Sequence, residues 1–376
     1  MRYRLTCLTP VLVGDGNKLS PIDYMVWKDQ VNVLDQKRIF KLLSKGPRLD
    51  GYLVQIRKAE KLDFASWGGF AQNYADRRVS FEHPSIAKAW EQARGETLSI
   101  PTFASATGGP YLPGSALKGA LRTGMLFARW SDSPPHVEVQ SERPSSRSGE
   151  AAEDNALGTG GASVMRAIKV GDSGPRANDT MRLYLLRTSA LVPRGGGRFD
   201  LGWKQAPKGT VQRAEDGTPM FAEMAAPGTV FEGAWKENAF LANPEVVRAL
   251  RWRGPVNSAS IFEAANAYAA RLIAIHQRYA EQAGLAVLRR SLDEVSARLE
   301  AVRGAGCIVS MGWGSGLLAK TGWLETDSEA QRQVLRNIPF FTRAIESGLP
   351  FPKTRRIVFL NGEPAALPGW AELRLE

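Results

Sequence analysis

PYLPGSALKGALRT, running from Pro110 to Thr123, places an aromatic residue and a Pro113-Gly114 corner immediately ahead of Ser115 and an amphipathic run. Ser115 follows the corner as an N-cap, which leaves backbone N–H groups and the positive end of a helix dipole facing outward. Such an end accepts an anion. From that cap, Leu117, Leu121, Gly124 and Ala128 fall on one face at helical spacing, and Lys118, Arg122 and Arg129 on another. The first face is read as packing, the second as free to meet a polyphosphate. The pattern is not a Walker loop: Gly119 stands where a magnesium-binding hydroxyl is needed, and the upstream glycines have the wrong spacing. Nucleoside triphosphate hydrolysis is therefore disfavoured. An ordinary amphipathic helix with a proline-glycine entry fits the same residues.

Upstream, Arg2 to Val13 alternates polar and apolar residues, which predicts an opening strand ending at Thr9-Pro10. Tyr24 to Trp27 and Val31 to Leu34 read as a strand pair turned at Lys28-Asp29-Gln30, and Arg38 to Leu43, Asp50 to Lys61 and Pro84 to Arg94 as short helices. Thr97 to Phe103 reads as a strand leading into the opening motif. Downstream of Trp130 the composition turns to Ser, Pro, Gly and Glu without apolar periodicity, and residues 131–162 are read as a flexible insertion.

Strand patterning resumes at Ala167 to Asp172 and Met181 to Ala190. A basic, glycine-punctuated stretch follows from Arg187 to Arg213, with Arg194, Arg198, Lys204 and Lys208 around Gly195, Gly196 and Gly197, and Phe221 to Phe231 reads as a further strand pair. A long basic hairpin over residues 187–231 suits this region better than a helix. Between residues 260 and 304, Ser260 with Glu263 and Ser291 with Glu294 read as capping boxes of two helices closed by Gly284 and Gly304. Their apolar registers, Ile261, Ala265, Tyr268, Leu272, Ile275 and Tyr279 in the first, predict an antiparallel packed pair. The strand CIVS, residues 307–310, then runs into MGWGSGLLAKT, where Gly312, Gly314 and Gly316 let backbone approach a ligand closely. This loop over residues 311–321 is a candidate phosphate nest or a tight strand-to-loop turn. It is not the dinucleotide fingerprint, which has G-x-G-x-x-G spacing.

The chain has 376 residues, 43% of them hydrophobic, enough for one large or two medium domains with real cores. Forty-nine Lys and Arg against 38 Asp and Glu give a formal charge of +11, a surplus that suits nucleic acid or acidic surfaces. Cys7 and Cys307 are too few for a zinc site or a disulfide framework and read as buried thiols. Of three histidines, His83, His136 and His276, none has a neighbouring carboxylate, Ser or Cys that suggests a triad. No stretch reaches the length of a membrane span, and the N-terminus lacks a signal peptide's apolar core, so a cytoplasmic protein is expected. Trp67, Phe70, Tyr74, Trp235 and Trp252 are core residues by default, interface anchors otherwise.

LTPVLVGDG at residues 8–16, PGSALKGALR at 113–122 and GWGSG at 312–316 followed by Lys320-Thr321 occur in that order, and the combination resembles the RAMP superfamily of CRISPR effector proteins. LSPIDY at 19–24, KVGDS at 169–173, and Glu223 through Gly228-Thr229-Val230-Phe231 bring it nearer to the fifth-subunit family of the type III-A (Csm) interference complex. The departures are the Ser/Pro/Glu insertion and Gly-Asp-Ser at 171–173, where a more hydroxyl-rich strand end is expected. The resemblance implies an α+β, ferredoxin-like fold of the RNA-recognition-motif type, with helical insertions and a protruding β-hairpin. Residues 1–130 are then the first part of the core, 131–162 the insertion, and 163–376 the remainder.

The resemblance also implies a non-catalytic subunit that holds the 3′ region of CRISPR RNA, caps the row of backbone subunits, and supports 3′-end maturation by host nucleases. Its partners would be CRISPR RNA, the adjacent backbone subunit and the small subunit, with no metal and no cofactor. A scaffold that accepts any spacer binds phosphate and 2′-hydroxyl rather than base edges. On that reading Gly114, Ser115, Lys118 and Arg122 cradle phosphates, Gly312, Gly314, Gly316 and Lys320 supply a second contact, and Arg194, Arg198 and Lys204 clamp the strand. A metal-dependent ribonuclease using Asp23, with Asp15 and Asp29 nearby, is the enzymatic alternative. A metal-free CRISPR RNA endonuclease and a small-molecule binding protein are the others.

Overall fold

The computed structural model describes residues 1–46, 48–58, 61–62, 73–137, 149–195, 198–207, 209–325, 328–346 and 348–376. The opening strand, β1 (Arg2–Cys7), buries Tyr3, Leu5 and Cys7 and exposes Arg2 and Arg4, as its alternation requires. After it come α1 (Gly114–Asp132), β2 (Ile168–Ser173), β3 (Met181–Gly195), β4 (Arg198–Lys204), β5 (Met220–Ala225) and β6 (Val230–Glu237). The chain continues through α2 (Ser258–Gln282), α3 (Ala286–Val302), β7 (Gly306–Ser310), β8 (Thr354–Leu360), β9 (Glu363–Ala366) and β10 (Trp370–Leu375).

Five strands form an antiparallel sheet in the order β7-β10-β1-β6-β2. Within it, β10-β1-β6-β2 is the arrangement of a ferredoxin-like β-α-β-β-α-β unit: α1 lies between β1 and β2 in sequence, α2 between β6 and β10, and β7 is an added edge. The two helices pack against each other where a Cβ on Gly124 would stand 2.8 Å from Ala265 Cα. A second sheet joins β4-β3-β8-β9, with β5 paired to the first half of β3. Beyond Pro193 the β3–β4 hairpin runs out to exposed residues, giving the protruding element.

The span between β1 and α1 is more elaborate than a single core segment. It holds a three-stranded sheet, Tyr24–Trp27, Gln30–Leu34 and Ala75–Ser80, with helices Gln36–Leu43 and Leu49–Lys58 around a core of Met25, Leu34, Ile39 and Tyr52. Arg77 ties this unit to the second sheet by donating to both carboxylate oxygens of buried Glu223, at 2.5 and 2.7 Å. Thr97 to Phe103 contains only a two-residue strand, Ile100–Pro101, because Gly95–Leu98 coils into a 3-10 turn.

Three further expectations are corrected. The insertion is not flexible throughout: Glu150–Leu157 is a helix that buries Ala152 and Leu157, and Ala162 accepts the indole N–H of Trp252 at 2.6 Å. Its low apolar content still leaves Ala152 and Leu157 to bury, which suffices when α1 is the surface it meets. Helix α2 starts earlier than expected, at Asn257, whose side chain accepts from Ser260 N–H at 3.0 Å while Ser260 Oγ accepts from Asn257 N–H at 3.1 Å. Ser291 lies inside α3 rather than at its cap, since the chain re-enters a helix directly after Gly284-Leu285. Trp235 and Trp252 are core residues, at 0% and 9% exposure. Trp67, Phe70, Gly196, Gly197, Lys208 and residues 138–148 lie outside the described residues.

Candidate nucleic-acid interface

The entry to α1 is built for close contact with β2. Pro113 is the N-cap, so Gly114 and Ser115 are the first two helical residues; Ser115 is exposed and makes no capping bond. The cap comes instead from a distant carboxylate, Asp172, whose Oδ1 accepts from Gly114 N–H at 2.8 Å. An acidic group thus already sits at the positive end of the helix. Leu112 and Ser173 fasten the same junction, Ser173 Oγ accepting from Leu112 N–H at 2.9 Å and Leu112 O from Ser173 N–H at 3.0 Å. A Cβ on Gly114 would fall 2.5 Å from Val170 O and 2.6 Å from Gly171 C, so the glycine lets helix and strand touch.

Lys118 and Arg122 share the face expected of them, and both have protein partners. Lys118 Nζ donates to Ile168 O at 2.9 Å, and burial, with Lys169 nearby, lowers its pKa from the usual lysine value. Arg122 pairs with Glu153 at 2.6 Å, both side chains partly exposed. The packing face is as read: Leu117, Leu121 and Gly124 are buried.

A different face of the same helix meets the glycine loop. Ala116, Gly119, Ala120 and Thr123 form one wall of a cleft of ≈ 580 Å³ whose other walls are Leu12–Gly14 and Gly16–Lys18 after β1, and Gly312, Trp313, Ser315 and Lys320. Gly312, Gly314 and Gly316 all have positive φ, +84°, +85° and +90°. At Gly312 the loop presses on the chain after β1, with Leu12 O accepting from Trp313 N–H at 2.7 Å. Across the loop lies a second cleft of ≈ 500 Å³ that shares Trp313, Ser315 and Lys320 with the first. Among the described residues neither cleft is lined by Asp or Glu, while Lys18, Lys320, Arg355 and Arg356 line one or both. The helix and the glycine loop therefore line one cleft, through a helical face other than that of Lys118 and Arg122.

The hairpin carries Arg194 and Arg198 at its exposed end and Lys204 near its base, where Lys204 and Lys353 line a further cleft. Arg194 pairs at 3.5 Å with Asp200, both largely exposed, an arrangement of little energetic weight. Arg187, unlike these, is buried, donating from Nε to Gly217 O at 3.2 Å and stacking over Phe359. Asp23 caps a turn: its Oδ2 accepts from Ser20 N–H and Oγ–H at 2.7 and 2.6 Å. Asp15 is likewise bonded to Asn17, and no three His, Cys, Asp or Glu side chains gather within reach of one metal ion among the described residues. Arg355 and Arg356 were missed, because TRRIVFL reads as plain strand and nothing local marks its arginines.

The ferredoxin-like sheet, with a glycine loop set against its first helix and two clefts at that loop, defines an α+β protein of the RNA-recognition-motif type. The chain belongs to the RAMP superfamily, whose sequence profile matches residues 4–233. Among individual proteins it is similar to the CRISPR system Cms protein Csm5 of Methanocaldococcus jannaschii, at 24% identity over 146 residues. That match spans 36% of this chain and 33% of the relative, about a third of the relative's length. Its fold matches a chain of a Csm-crRNA-target RNA ternary complex from a type III-A CRISPR-Cas system, with a TM-score of 0.65 at 18% identity over all of both chains. It also matches T. onnurineus Csm5, with a TM-score of 0.63 at 18% identity over 99% of this chain and 100% of the other. Among the described residues no helix is long and apolar enough to cross a membrane.

Proposed function

We propose that the chain is a Csm5-type subunit of a cytoplasmic type III-A interference complex: a non-catalytic, CRISPR RNA-binding part that caps the 3′ side of the guide. In this reading it docks on the adjacent backbone subunit and the small subunit, and presents the guide's 3′ end to host nucleases for trimming. The observation that carries the proposal is the pair of basic clefts meeting at Gly312–Gly316, lined by no Asp or Glu among the described residues, in a member of the RAMP superfamily. Backbone N–H groups in a positive-φ loop and nearby cations suit phosphate without regard to base identity.

Gly312, Gly314, Gly316 and Lys320 form the central contact, and Arg194, Arg198 and Lys204 reach the strand from the hairpin. Gly114 and Ser115 shape the helix entry. Lys118 and Arg122 join the RNA only by exchanging Ile168 O and Glu153 for phosphate. The test is purification of the tagged chain from its native cells. A guide RNA and other effector subunits should accompany it, and protein free of RNA and partners overturns the proposal.

A further inference from the structure

The second cleft, at the glycine loop, is lined by a charge that has no counter-ion among the described residues. Arg355 is 8% exposed. Its Nε donates to His276 Nδ1 at 3.0 Å, its Nη1 to Pro352 O at 2.6 Å and Thr354 O at 2.9 Å, and the guanidinium lies 4.5 Å over the Tyr279 ring. Every partner is a dipole or a π face; none carries a negative charge. Among the described residues no carboxylate pairs with Arg355, and its Nη2 has no protein partner. Buried charges are ordinarily paired, so an arginine held this way is short of one anion. Burial lowers its pKa to about 10, which leaves it charged at neutral pH, while buried His276 is held well below the usual histidine range and so accepts rather than competes.

The rest of the cleft has the chemistry of a nucleotide site. Its ≈ 500 Å³ falls within the roughly 300–1,000 Å³ of small-ligand pockets. Arg356 lies 4.9 Å from the Trp313 ring centroid, Lys320 lines the same space, and Phe340, 86% exposed, stands among its lining aromatics. A base stacks on aromatic faces and a phosphate seeks arginine. We propose that this cleft is a single-nucleotide pocket, in which Arg355 and Arg356 hold a phosphate and Phe340 and Trp313 hold the base of an unpaired nucleotide. The source of that nucleotide, a strand of RNA, rests on the function proposed above.

The test uses calorimetric titration of the full chain with uridine monophosphate, uridine and inorganic phosphate. Uridine monophosphate should bind measurably more tightly than either fragment, and Arg356→Ala and Phe340→Ala, both exposed positions, should each weaken it about tenfold with an unchanged unfolding transition. Arg355→Met should abolish binding, with circular dichroism verifying its fold. Competition by pentauridine assigns the ligand to RNA; uridine monophosphate binding without competition assigns the pocket to free nucleotide. Failure of the wild-type chain to bind uridine monophosphate, or wild-type affinity retained in Arg356→Ala and Phe340→Ala, overturns the pocket. Guide-RNA retention in cells, scored on the same variants, separates this from the parent proposal: retained guide with no nucleotide binding removes the pocket alone.

Discussion

Replacing Gly114 with Ala tests how the helix entry is built. The added methyl would stand 2.5 Å from Val170 O and 2.6 Å from both Gly171 C and O, all backbone atoms that no rotamer change can move aside. Either α1 retreats from β2 or β2 shifts out of register with β6. Overpacking of this kind costs about 1–3 kcal/mol. The retreat also stretches the 2.8 Å bond from Gly114 N–H to Asp172, for roughly another 1 kcal/mol. Alanine's helix preference returns at most about 1 kcal/mol, leaving a net destabilisation of about 1–3 kcal/mol. Gly119→Ala, one turn on, is the internal control: nothing lies within 4 Å of its Cβ position, so it should stabilise by about 0.5–1 kcal/mol. Urea unfolding followed by circular dichroism reads both as midpoint shifts at constant m. Equal stability of the two variants, or stabilisation by Gly114→Ala, refutes the packing argument.

Glu223→Gln removes the anion that holds Arg77 and should lower stability by about 2–4 kcal/mol in the same urea experiment; a change under about 0.5 kcal/mol contradicts the link between the inserted unit and the second sheet. Burial raises Cys7 from 9.0 to about 12 and Tyr3 and Tyr24 from 10.0 to about 12, so these groups ionise first in the unfolded chain. Their contribution is intact below about pH 9 and is lost between about pH 9 and 12, and at pH 8 neither Cys7 nor Cys307 should react with a thiol reagent until the protein unfolds. His276, held below its usual range, is protonated preferentially in the unfolded state. Stability should therefore fall as pH drops below about 6.5, approaching 1.4 kcal/mol per pH unit for this group, and His276→Gln should flatten that part of the profile.

What was legible in the sequence was what local spacing controls. The period of Leu117, Leu121 and Gly124 marked the buried face of α1, and the alternation of Tyr3, Leu5 and Cys7 marked β1. The resemblance carried the order of segments from which the ferredoxin-like core follows, and the strand order agrees with it. Features set by partners far along the chain were not legible. Ser115 has the chemistry of an N-cap, but Asp172 fills that position from β2. Arg355 looks like any strand arginine until His276, on another element, is placed against it. Likewise the face of α1 that meets the glycine loop is made of Ala116, Gly119, Ala120 and Thr123, small residues with no charge to draw notice, whereas conspicuous Lys118 and Arg122 turn to β2 and to the helix of the insertion.

If the chain holds guide RNA by its phosphates, the salt dependence of guide affinity in the assembled complex carries the signature of those contacts. Replacing Arg194, Arg198 and Lys204 together with Ala removes three hairpin cations. At ~0.7 per phosphate contact on single-stranded RNA, the slope of log K against log salt should shrink by about 2, equally for guides of unrelated sequence. An unchanged slope, or a loss confined to particular guide sequences, would mean that these cations do not hold the guide by its phosphates.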